Sequence, residues 1–211
     1  MPRVDDYKAA LALVVSELKK AEPREVAGRS QAEYCGEGSQ QGLVLPYFGQ
    51  ERRVWWPDIR VEAAPDWTEP SLTEQILILH YLHQATGEPL SGRSIDFRQV
   101  PGGSFYWSAF VSRAKKPLLQ VFGQDLELYR KVAEHLGGTL LEEGDAAAAF
   151  PAFPLVPVTH VLWRGDEEFP PDANILFDQT IIRHLPTEDI AALAGNSVYR
   201  LMGAARGMGK K

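Results

Sequence analysis

Only one cysteine, Cys35, occurs in the 211 residues. A lone thiol excludes an intramolecular disulfide and leaves too few thiolates for a cysteine-ligated zinc site or an iron–sulfur cluster. It also argues against a disulfide-stapled secreted scaffold. Long apolar runs are missing too: no window approaches the ~18 consecutive apolar residues of a membrane span. The opening run "MPRVDDYKAALALVVSELKKAEP" does not read as a secretory signal, because its short apolar part, Ala9 to Val15, follows Asp5 and Asp6 and runs into Glu17, Lys19 and Lys20. The expectation is a cytoplasmic protein with no membrane partner. Positive charge is sparse: 22 lysines and arginines stand against 28 aspartates and glutamates, a formal net charge of −6. The basic residues are scattered, as in Arg52–Arg53, Lys115–Lys116 and Lys210–Lys211. A stripe that neutralises phosphates is absent, so nucleic acid is not an expected partner.

Signatures of nucleophilic or nucleotide chemistry are also lacking. There is no G-x-S-x-G elbow and no G-x-G-x-x-G, and the glycine turns "SGRS" and "VPGGS" carry no Walker lysine. Cys35 stands beside Gly36 in a strand-like segment with nothing local to activate its thiol.

What remains is an ordinary globular composition, 45% hydrophobic and 24% charged. Leu11, Val14, Val15 and Leu18 recur at helical spacing, with Asp5 or Asp6 available as a cap and Pro23 as a stop. "QAEYCGEG", "QGLVLPYFG" and "RRVWWPDIRVEA" read as short strands divided by Gly and Pro. "EPSLTEQILILHYLHQATGEPL" is the clearest helix. Ser71 and Glu74 form a capping box, and the helix is apolar around most of its circumference. "SFYWSAFVSR" fits a strand or a helix equally. "DLELYRKVAEHLGG" is an amphipathic helix opened by Asp125 and closed by Gly137–Gly138. The prolines at 151, 154 and 157 speak against a central strand there, whereas Val158 to Trp163 reads as one. A proline-started helix carrying Asp178 and a second helix capped by Thr187 follow, giving a helical C-terminal subregion over 170–205. Mixed signals without a repeat or a linker predict one α+β domain over residues 1–211, a mixed or antiparallel sheet packed against several helices.

Several residues invite chemistry. His80 and His83 share a helix face, which suits a satisfied core histidine, a ligand-facing group or a metal, although no zincin motif is present. Asp166, Glu167 and Glu168 form either a solvated turn or a hard-cation site without EF-hand spacing. Asp178 lies among Ile175, Leu176, Phe177, Ile181 and Ile182, so its carboxylate needs a partner, for which Arg113 and Arg183 are candidates. Glu188 and Asp189, after Thr187, are accounted for by the dipole of the helix they open. Trp163, with other aromatics, could line a flat apolar pocket with His80 and Arg113 as its polar groups.

The tracts "ILHYLHQATGEPLSGRSIDFRQVPGGSFYW", "RAKKPLLQVFG", "EHLGG" and "FPLVPVTHVLWRGDEEFPPDANILFDQTIIRHLPTEDIAAL" resemble a family of anaerobic bacteria and archaea that carries a domain of unknown function. Some members look like fusions to an N-terminal iron–sulfur module similar to that of corrinoid iron–sulfur proteins. The resemblance implies a setting in anaerobic corrinoid or one-carbon metabolism. Because this chain lacks the cysteine module, the iron–sulfur or corrinoid protein would be a separate partner. His80, Arg113, Trp163, Asp166, Glu168 and Asp178 lie inside these tracts and are the expected ligand-binding residues. The expected function is a binding or accessory domain for a small-molecule or tetrapyrrole-like ligand or a partner protein. The alternatives are a carboxylate–histidine enzyme using a divalent metal and a homo-oligomeric interaction protein.

Overall fold

The structure is a computed structural model, and it describes residues 4–37 and 40–208. The fold is α+β with two antiparallel sheets. The chain gathers into two compact units. The first comprises Met1–Pro89 with the short segments Phe153–Leu155 and Arg183–Leu185; the second comprises Leu90–Ala152, Val156–Ile182 and Pro186–Lys211.

The first unit opens with helix α1, Val4–Leu18. Asp5 and Asp6 therefore lie within the helix and not ahead of it. Val14 and Leu18 are buried, as their spacing requires. A helix the sequence did not announce follows, α2, Pro23–Ser30. Pro23 lies at its start, where a missing N–H costs nothing. Next comes the meander β1 (Glu33–Glu37), β2 (Gln40–Tyr47), β3 (Gln50–Trp56) and β4 (Arg60–Ala63), paired in chain order. Pleating turns Leu43, Leu45, Tyr47, Val54, Trp56 and Val61 into the core. Pro46 is accommodated within β2 because β1 pairs only as far as Val44, leaving an edge on that side. Helix α3, Leu72–Gln84, has Ser71 Oγ accepting from the Glu74 amide at 3.4 Å. It buries Ile76 to Leu79, Tyr81 and Leu82, and it supplies Glu74, which holds the buried Arg52 at 2.6 Å.

The second unit begins with β5, Ser94–Asp96, and helix α4, Gly103–Phe110. The backbone then widens into a π turn, Val111–Lys115, where the Lys116 amide donates to the Val111 carbonyl, before α5, Lys116–Phe122. "SFYWSAFVSR" is thus helical. Helix α6, Leu126–His135, is capped by Asp125, whose carboxylate accepts from the Leu128 amide at 2.8 Å. Strands β6 (Thr139–Leu141), β7 (Ala146–Phe153), β8 (Val156–Trp163) and β9 (Asp172–Asp178) join β5 in the order β5-β9-β8-β7-β6. Helix α7, Thr187–Met208, completes the unit.

Three local expectations are corrected here. Residues 146–153 form strand β7 in spite of Pro151, because β6 pairs only with Ala147 to Ala149 and leaves that side of Pro151 unpaired. Residues 172–178 form strand β9, not a helix. Ala173, Ile175 and Phe177 are buried on one face, and β9 pairs with β8 from Val158↔Phe177 to Trp163↔Asp172. Thr187 is the first residue of α7 and not its cap; its hydroxyl donates to the Pro101 carbonyl at 2.6 Å. Glu188 and Asp189 do occupy the first turn.

Candidate functional site

His80 belongs to the first unit, where it is half-buried on α3. His83, one turn along, is held below its ordinary pKa, first by burial and then by the charge of Arg29. The other five expected site residues belong to the second unit.

Asp178 closes β9 and forms a structural knot. Its Oδ1 accepts from the Ser91 amide (3.1 Å) and hydroxyl (2.9 Å) and from the Thr180 amide (2.9 Å) and hydroxyl (2.7 Å). Its Oδ2 accepts from the Gly92 amide at 2.8 Å. Neutral donors, not Arg113 or Arg183, satisfy the carboxylate. Burial pushes its pKa up, but the Thr180 and Ser91 donors outweigh burial and hold it down to about 2. A carboxylate engaged in this way fixes the loop at Ser91–Gly92 against the end of β9 and has little capacity left for a ligand.

Asp166 plays a similar part on a smaller scale. Its Oδ1 accepts from the amides of Glu168 (2.8 Å) and Phe169 (2.7 Å), and its own amide donates to the Phe169 carbonyl at 2.9 Å. Those amides lower its pKa, Phe169 more than Glu168. Among the described residues no group of three or more His, Cys, Asp or Glu side chains could hold a metal ion. The centre expected from Asp166, Glu168 and Asp178 is not assembled.

The turn that Asp166 folds has a different product. It presents Phe169 to solvent at 66% exposure, in the loop that leaves β8 at the 40% exposed Trp163. The loop before β7 is strapped to the same end. The Asp145 amide donates to the Leu162 carbonyl at 2.9 Å, and its carboxylate accepts from the Arg164 amide at 2.7 Å. Glu142, Glu143, Glu167 and Glu168 are all exposed there, and their side chains have no hydrogen bond or ion pair among the described residues. Asp172, across from Trp163, is neutralised by Lys115 at 2.8 Å. This end of the sheet carries two exposed aromatics beside the carboxylates of Glu142, Glu143, Glu167 and Glu168 and the exposed guanidinium of Arg164. Trp163, Asp166 and Glu168 were legible candidates. Phe169 and the Glu142–Glu143 pair were missed, because only the fold of β7 onto β8 brings them to that end.

Arg113 lies on the π turn, half-buried beside α7. Cβ of Arg113 and the ring of Tyr199 each lie 3.9 Å from where a Cβ on Gly195 would stand. Farther along α4, the Tyr106 hydroxyl donates to Glu188 at 2.6 Å, which raises the pKa of the phenol. Phe105 next to it is 92% exposed. Cys35 is half-buried on β1, and burial raises its thiol pKa; its thiolate is not activated.

The Ser197 hydroxyl and the His160 imidazole form a close pair that is enclosed in the core. No described helix is long and apolar enough to cross a membrane. No curated protein and no solved structure matches the chain. The family model described as "Domain of unknown function (DUF3786)" matches residues 22–200. With that match covering most of its length, the chain belongs to the DUF3786 family.

Proposed function

We propose that this protein is a non-catalytic, cytoplasmic accessory domain that docks a separate protein through the Trp163–Phe169 end of its second sheet. The observation that carries the reading is the pair of exposed aromatics, Trp163 at the end of β8 and Phe169 on a hydrogen-bonded turn, beside the unpaired carboxylates of Glu142, Glu143, Glu167 and Glu168. Fixed aromatic side chains are efficient anchors because little conformational entropy is lost when they bind. Four glutamates outweigh the one arginine of this loop, Arg164, and a net negative surface selects a partner of the opposite sign and speeds encounter. The partner face is therefore basic, with apolar recesses. The resemblance to chains fused to a corrinoid-type iron–sulfur module supports an iron–sulfur or corrinoid protein as that partner, in anaerobic one-carbon metabolism.

The test is calorimetric titration of the protein with a purified corrinoid iron–sulfur protein under anaerobic conditions. Expected is a complex that weakens with salt and loses at least tenfold in affinity in Phe169→Ala and in Glu167→Lys/Glu168→Lys. Absence of heat at micromolar concentrations, or equal affinity of the variants, overturns the reading. A parallel titration of cobalamin alone, followed by its visible spectrum, separates docking of the protein from capture of a tetrapyrrole-like ligand.

A further inference from the structure

We draw no further inference here: the strongest candidate, the side-chain cluster of Trp55, Arg53 and Trp67 on the outer face of the first sheet, is engaged within itself and by Glu62, with the Trp55 indole donating to Glu62 at 2.8 Å and the Arg53 guanidinium 3.5 Å over the Trp67 ring, and nothing in the structure shows what covers it.

Discussion

His160 Nε2 and Ser197 Oγ lie 2.8 Å apart in the second unit, both enclosed. The Ser197 hydroxyl donates to the Ala194 carbonyl at 2.7 Å, so its oxygen receives the proton of Nε2. The imidazole is therefore the neutral Nε2–H tautomer. Its Nδ1 has no partner among the described residues, and burial pushes its pKa down to about 3. The unfolded chain binds this proton near pH 6.5 and the folded chain does not. Stability is thus complete above pH 6.5 and falls as pH drops toward 3, by about 1.4 kcal/mol per pH unit for a single proton. Urea unfolding at pH 7, 5 and 4 should show this slope, and His160→Leu should flatten it. An unchanged slope in His160→Leu would place the acid sensitivity elsewhere.

Asp178→Ala should cost roughly 3 kcal/mol, because the Ser91, Gly92 and Thr180 amides lose their common acceptor. Asp178→Asn keeps one acceptor oxygen and should cost less. Ser91→Ala, which removes a single donor, should cost about 1 kcal/mol. With its pKa held at about 2 in the folded state, this carboxylate stabilises fully above its ordinary value near 3.8, and its contribution disappears as pH falls through 2. Denaturant midpoints of the three variants at pH 7 give the ranking. If Asp178→Ala equals wild type, the knot is not structural.

Arg52 and Glu74 form a nearly enclosed pair at 2.6 Å. Removing one partner strands the other, so Arg52→Ala should lose about 3 kcal/mol or more. The double change Arg52→Met/Glu74→Leu should recover most of that loss, since apolar replacements of similar volume leave no buried charge. Melting temperatures of the single and double variants decide it, and a double variant as unstable as the single one would show that the pair sets the local packing.

Gly103 starts α4 where an added Cβ would overlap the Phe97 carbonyl oxygen. Backbone cannot yield cheaply at such a point, so Gly103→Ala should destabilise by more than ~2 kcal/mol and should shift the stacked rings of Phe97 and Phe110, 4.4 Å apart. Near-ultraviolet circular dichroism together with a melt checks both parts. Gly102→Ala next to it meets open space and is opposed only by its left-handed φ of 75°, so it should cost less, about 1 kcal/mol.

The elements that could be read from the sequence are those whose signals are local. Ser71 with Glu74 and Asp125 with Leu128 mark helix starts a few residues away, and the apolar period of α3 and α6 is complete within each helix. The β1–β4 strands were legible because Gly and Pro punctuate them at short range. The errors came where the deciding contact is remote. β9 resembled a helix because its apolar residues are adjacent in sequence; its pairing with β8 and β5 selects the strand. Pro151 argued against β7 until the short reach of β6 removed the conflict.

The site divides in the same way. Composition determined that this chain binds no metal through a set of cysteines, and the wording of its tracts pointed to a family with a domain of unknown function. Residue type picked out Arg113, Trp163, Asp166, Glu168 and Asp178, since charged and aromatic groups beside apolar runs require explanation. Only the tertiary structure could sort them: it spent Asp178 on donors from 87 residues away, used Asp166 to fold a turn, exposed Trp163 and Phe169, and left Arg113 with no partner among the described residues. A charge carries its hydrogen-bonding capacity in the sequence, but whether that capacity is already filled depends on which distant groups the fold places within 3 Å of it.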